Sequence, residues 1–229
     1  MSTPRRRFLS WLGSASLLGA AASPALAFAA TPRRKDAPDG HAAPVAETWD
    51  MSWTNRVSGK YKAVFDSPEA HGGAALFRAV SWREQYKEVY GAELADTSAV
   101  VVVRHLGFYL AMNNEFWAKY DIGKELKERD SKGKKWAKAN PLSATGAESG
   151  AQNARFTMQG FLASGGIVLA CGWSFGGAAS YVAKGESLDR EAARARAKEM
   201  LIPGVILQPN GIFAALRAQE AGCSYVMAS

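Results

Sequence analysis

Residues Ser164–Gly177 read SGGIVLACGWSFGG, and the fold class follows from how they are parsed. Four apolar residues, Ile167 to Ala170, stand between Gly165-Gly166 and Cys171. A short apolar run bounded by glycines predicts a strand buried on both faces. The glycine-rich Gly172–Gly177 then predicts a turn, and Ala178–Ala183 a helix. Strand, turn and helix make half of a βαβ unit. In parallel sheets of that kind ligands sit beyond the carboxyl ends of the strands, so Cys171 is placed at the edge where chemistry is done.

Outward from this stretch the same alternation repeats. Tyr61–Asp66 (YKAVFD) predicts a first strand, a loop through Ser67-Pro68 and His71-Gly72-Gly73 follows, and Ala74–Tyr90 predicts a helix stopped by Gly91. Ser98–Arg104 (SAVVVVR) is the clearest strand, because four consecutive valines suit a central, doubly covered position. Leu106–Met112 is expected to turn helical, with a helix or loop over Asn113–Tyr120. Residues 121–150 are charged and then small and polar, which predicts an insertion of solvated helix and loop on one rim. Gln152–Ala163 predicts a helix into the cysteine strand. Lys184-Gly185 predicts a turn, and Leu188–Leu201 a helix capped by Ser187 or Asp189. Val205–Gln208 predicts a strand, and Asn210 an N-cap for a helix over Ile212–Ala221. After the stop at Gly222, Cys223–Met227 predicts the last strand. The fold class is therefore α/β: a three-layer α/β/α arrangement with a five-stranded, mainly parallel sheet. Strand order is not legible in the sequence.

Gly172-Trp173-Ser174-Phe175-Gly176 matches the G-x-S-x-G nucleophile elbow between strand and helix. A hydrolase of that type needs a histidine later in the chain than its serine, whereas the only histidines are His41, His71 and His105. The hydrolase reading fails on its partners. Cys171 offers another chemistry: a thiolate at a helix N-terminus is stabilised by the aligned N–H groups. Free cysteine is equally a common buried packing residue, and spacing alone leaves both roles open.

The N-terminus reads MSTPRRRFLSWLGSASLLGAAASPALAFAA. A basic start, a mildly apolar middle and small-residue ends are the grammar of an export signal, and Arg5-Arg6-Arg7-Phe8-Leu9 resembles the twin-arginine (Tat) motif. The expected domains are a Tat signal over 1–30, a Pro-, Ala- and charge-rich linker over 31–58 with some order near Trp49 and Trp53, and an α/β domain over 59–229. The Tat translocase is then a partner during export and the periplasm the expected location. The formal charge is +7. Without residues 1–30 the basic count falls from 28 by three to 25, against 21 acidic residues, a charge of +4 that makes no case for nucleic acid. The only cysteines are Cys171 and Cys223. They end and begin strands respectively, so in a parallel sheet they lie at opposite edges. A five-residue strand spans about 17 Å, too far for Cα atoms that a disulfide holds about 5.5 Å apart.

Two stretches resemble the DsrE/DsrF-like family: Gly166–Cys171 with its following glycine-containing helix, and Pro203–Cys223 (PGVILQPNGIFAALRAQEAGC). The resemblance covers about residues 60–112 and 152–228, is specific at these two stretches, and implies a DsrE/F-like, flavodoxin-like five-stranded core assembled as homo-trimers or hexamers. Several members relay sulfur as a persulfide on a cysteine at a strand end, the position Cys171 occupies. By resemblance Cys171 would exchange sulfur with a donor or acceptor. Those members are cytoplasmic, whereas this chain carries an export signal. The small members also lack the 121–150 insertion.

Asp66, Arg104, His105 and Asn210 fall at carboxyl ends of expected strands, one edge of a parallel sheet. His105 is a candidate to tune or deprotonate the thiol, or to cap and pack. Arg104 is a candidate to hold an anion such as a sulfur oxyanion, or to form an interface ion pair. The N–H groups after Asn210 could bind an anion, and Trp173 could cover the thiol or fill an oligomer contact. No metal site is implied, since one Cys and one His fall short of four ligands. No cofactor is implied either: Gly172–Gly177 lacks the P-loop lysine and the dinucleotide spacing. Two readings stand, with enzyme activity left open: a sulfur or redox carrier using Cys171, and a non-catalytic oligomeric binding module in which Cys171 is structural.

Overall fold

The computed structural model of the chain describes residues 48–130, 132–143 and 154–229. The expected signal, His41, most of the linker and the end of the insertion lie outside the described residues. Five strands form one all-parallel sheet: β1 (Tyr61–Ser67), β2 (Thr97–Val103), β3 (Ile167–Cys171), β4 (Ile206–Gln208) and β5 (Ser224–Met227). Their order is β4-β3-β2-β1-β5. The helices are α1 (Ala74–Tyr90), α2 (Asn114–Lys119), α3 (Ile122–Glu125), α4 (Met158–Ala163), α5 (Gly172–Glu186), α6 (Arg190–Glu199) and α7 (Gly211–Glu220). A 3₁₀ helix, His105–Ala111, follows β2.

The strand order explains which face each helix covers. From β1 to β4 the chain steps always in one direction, and from β4 to β5 it returns across the sheet. With connections of one hand, the first three crossovers fall on one face and the last on the other. Buried residues of α1, α4, α5 and α6 accordingly share a cluster with Phe65, Val101 and Val103. Ala214, Ala215 and Ala218 of α7 pack instead on Val64, Val100, Val102 and Leu169. β2, at the centre, is buried along its whole length.

Several boundaries differ from the sequence expectation. The glycine-rich Gly172–Gly177 is not a turn but the first turns of α5. A Cβ at Gly172 would lie 2.7 Å and 2.9 Å from the carbonyl oxygens of Gln208 and Pro209, so this glycine serves close approach of two backbones. Gly185 is likewise helical, faces the Tyr120 ring, and α5 ends at Ser187 in the left-handed region (φ 54°). Asp189 alone caps α6, its Oδ1 accepting from the Ala192 N–H. The helix expected over 152–163 is broken: a 3₁₀ turn, Ala154–Phe156, precedes Thr157, which caps α4.

The linker does not extend to 58. Residues 48–58 belong to the same compact unit as the sheet. A 3₁₀ helix, Ser52–Arg56, places Trp53 fully buried in the α7-side cluster. One ten-residue helix is too narrow for that face of a five-stranded sheet, and Trp53 with Val57 covers what α7 leaves. Part of the charged insertion is also stitched in: buried Asn140 donates through Nδ2 to the carbonyls of Leu110 (2.8 Å) and Met112 (2.7 Å). Cys171 and Cys223 are both free and belong to clusters on opposite faces.

Candidate functional site

All five strands are parallel, so their carboxyl ends share one edge. Two chemical groupings stand there. The first is a buried ion pair. Asp66, near the end of β1, is 2% exposed, and β2 and β5 flank it in the register. Its carboxylate accepts from Arg104 Nε and Nη2 (2.8 Å each) and from the Tyr225 hydroxyl (2.6 Å). A bidentate guanidinium satisfies both oxygens of a carboxylate that cannot reach water. The bonds to Asp66 push the Arg104 guanidinium above its ordinary pKa, and the bond to Asp66 pushes the Tyr225 phenol upward too. The aliphatic stem of Arg104 lies against Gly211, where a Cβ would collide with it.

The second grouping lies at the reversal of the topology. β3 runs straight into α5 on one face, and the loop after β4 leads to α7 on the other. A crevice at such a switch point is where open α/β sheets bind ligands. Cys171 and Gln208 stand opposite each other there. Residues 49–50 of the same chain occupy the spot. The Asp50 carbonyl accepts from Gln208 Nε2 at 2.9 Å, and the Trp49 ring lies 3.2 Å from where a Cβ on Gly172 would be. Gln208 is wholly buried, and its Oε1 has no partner among the described residues. Cys171 holds the N-cap position of α5 without capping it. It is 5% exposed and belongs to the cluster containing Phe108 and Phe175.

The other sequence candidates divide. Asn210 caps α7, its Oδ1 accepting from the Phe213 N–H at 2.9 Å, so its side chain is committed to the helix. His105 has φ 49° and is largely exposed, with Nδ1 3.4 Å from Glu69 Oε1. That pairing turns it toward the β1 loop, and among the described residues nothing joins it to Cys171 by a hydrogen bond. Arg104 is bound to Asp66 rather than open to an anion on all sides, although 28% of its side chain stays exposed. Trp173 is 71% exposed and so does not bury itself over the thiol. Ser174 lies within α5 with an ordinary negative φ, not on the strained turn a nucleophile elbow requires.

Around both groupings the edge carries large apolar side chains in the open. Leu106 follows β2, Trp173 follows β3, Ile212 follows β4 at 59% exposure, and Met227 ends β5, also at 59%. Sequence reasoning did not reach Gln208 or Tyr225, because each acquires its neighbour from the strand order alone. Among the described residues no cluster could hold a metal ion, and no helix is long and apolar enough to cross a membrane. No family model, curated protein or solved structure matches the chain.

Proposed function

We propose that the chain is an exported DsrE/DsrF-like protein working as an oligomeric binding module through the carboxyl edge of its sheet, with Cys171 as a packing residue. The observation that carries this reading is the set of exposed apolar side chains at that edge, Leu106, Trp173, Ile212 and Met227. Single exposed apolar residues are ordinary on a monomer. Four large ones along one edge, at the start of two helices, mark a surface that another surface covers. The occupant is a further copy of this chain, in line with the homo-oligomers the family resemblance implies. The five-stranded parallel core supports the family reading, and the basic-then-apolar leader over 1–30 supports export by the Tat translocase to the periplasm. The test is the mass in solution of the mature chain and of a Trp173→Glu/Ile212→Glu variant, by light scattering. Assembly that the variant abolishes is expected, and a monomeric parent chain overturns the reading.

One observation favours the carrier reading as a second: Cys171 stands at the topological switch point and at the N-terminus of a 15-residue helix. Its donor would be a partner bearing a persulfide, whose outer sulfur passes to the Cys171 thiolate as the donor thiolate leaves, and its acceptor a partner bearing a free thiolate that takes the sulfur on and restores Cys171. Iodoacetamide at mildly acidic pH separates the two. Labelling of Cys171 only after denaturation fits the packing role, and labelling in the folded protein fits the carrier.

A further inference from the structure

The two outer strands of the sheet differ in what lies beside them. At β4 the N-terminal segment is seated: Gln208 donates to the Asp50 carbonyl, and Thr48 and Trp49 share a hollow with Ile206 and Leu207. β5, outermost on the other side, pairs among the described residues with β1 alone. The Ala228 N–H donates to the Asp66 carbonyl. By the alternation of a strand, Ser224 and Val226 turn their backbone groups the same way, toward β1. The N–H and C=O of Tyr225 and Met227 therefore face away from the sheet. Ser224, Tyr225 and Met227 are exposed, and β5 carries neither the lysine nor the proline that commonly blunts an edge. Such an edge is a template for another strand.

Beside it, on the α1 side, lies a groove of about 610 Å³. It arises because β5 begins late: Ser224 pairs with Ala63, so Tyr61 and Lys62 of β1 run past its start. Tyr61, Trp82, Tyr86 and Val226 line the groove. The rings brace one another, Tyr61 edge-on to Tyr86 at 4.7 Å and Tyr86 against Trp82 at 5.0 Å, so the wall is formed before anything fills it. Every second side chain of an added strand would point into this space. Lys60 and Lys62 line the same groove at the amino end of β5, the Lys62 ammonium standing beside Gly222, and their charge complements an acid. A second copy fits poorly. The self-pairing that joins the outward groups of Tyr225 and Met227 across a two-fold axis sets Val226 opposite Val226 and Ser224 opposite Ala228. Those side chains are too small for the groove and bring no carboxylate to the lysines.

We propose that the free edge of β5 receives an extended acidic peptide of a partner protein as a sixth strand, with an apolar side chain in the α1 groove and a carboxylate beside Lys60 and Lys62. The test is fluorescence anisotropy of two labelled peptides, Glu-Glu-Phe-Thr-Phe-Thr and its reversal, one for each strand direction. Titrations use the mature protein and its Trp173→Glu/Ile212→Glu variant, so that assembly at the carboxyl edge does not enter. One of the two peptides is expected to bind one to one to both proteins, and its counterpart with lysine in place of glutamate at least tenfold more weakly. Lys60→Glu/Lys62→Glu should reverse that preference. Met227→Pro removes an outward N–H and leaves the bonds to β1 in place, so it should cost at least tenfold in affinity while the melting temperature holds. No binding of either acidic peptide at about 1 mM, equal binding of the lysine peptide, or unchanged affinity in Met227→Pro overturns the proposal. So does assembly that survives in Trp173→Glu/Ile212→Glu and is lost in Met227→Pro, which would give this edge to a second copy. Anisotropy decides this surface and light scattering the carboxyl edge, so either reading can fail without the other.

Discussion

The Asp66–Arg104 pair makes a prediction whose two halves differ in size. Asp66 is 2% exposed and accepts three hydrogen bonds, two of them from one guanidinium. Removing one partner of a buried pair costs about 3–5 kcal/mol, because the other charge is stranded. The two strandings are unequal here. In Asp66→Asn the stranded group is Arg104, which is 28% exposed and can recover part of its hydration, so a loss of about 2 kcal/mol is expected, below that range. In Arg104→Met the stranded group is a carboxylate sealed from water with one phenol left beside it, and about 3–4 kcal/mol is expected. The double variant strands neither charge and should cost no more than Arg104→Met alone, a coupling of about 2 kcal/mol. The assay is urea unfolding at pH 7 followed by tryptophan fluorescence, with the slope against urea unchanged across the series. The reasoning is refuted if the double variant is additive to within about 0.5 kcal/mol, or if Asp66→Asn is the costlier single change.

Two further outcomes are expected. Burial raises the Cys223 thiol from its ordinary 9.0 to about 11, so above pH 9 the unfolded chain sheds a proton that the folded chain keeps, and stability falls. Between pH 8 and pH 10 the parent should lose about 1.4 kcal/mol relative to Cys223→Ala in urea titrations, whereas parallel curves would mean the thiol is open to water. Trp53 is fully buried in the cluster it shares with α7, and Trp53→Ala should cost about 3–5 kcal/mol. A chain begun at Gly59, which also loses Val57, should melt lower still. If both keep the parent melting temperature, residues 48–58 are not part of the domain.

How far the sequence could be read depended on whether a residue's meaning is local. The valines of β2, the cap at Asn210 and the cap at Asp189 are set by contacts within a few residues, and they fall where pattern and side-chain chemistry put them. The glycines of Gly172–Gly177 are another matter. Glycine allows a turn and also allows two backbones to approach, and only the second applies at Gly172. The carbonyls it accommodates belong to Gln208 and Pro209, more than thirty residues on, and they stand there because β4 lies beside β3. Trp53 is half legible for a related reason: order near it is expected from the tryptophans of an otherwise polar stretch, but its burial against the sheet exists because α7 leaves that face half covered.

The site depended on strand order even more. A parallel sheet puts Asp66, Arg104 and Cys171 at one edge in any order, and that much was legible. The pairing of Asp66 with Tyr225 requires β5 beside β1, and that of Cys171 with Gln208 requires β4 beside β3. The same order decides what shields the thiol. Met51 and Trp53 pack on the α7-side cluster and Trp49 stands against Gly172, whereas Cys171 belongs to the cluster under α5 with Phe108 and Phe175. Loosening Trp53 therefore would not uncover the sulfur by itself. One route to it is for the first turn of α5 to lift from the sheet. That turn contains Gly172, held against two carbonyls, and Trp173, whose exposed ring is at the surface proposed to meet another copy. Assembly over Trp173 would hold the turn down, so thiol reactivity and oligomerisation at this edge oppose each other.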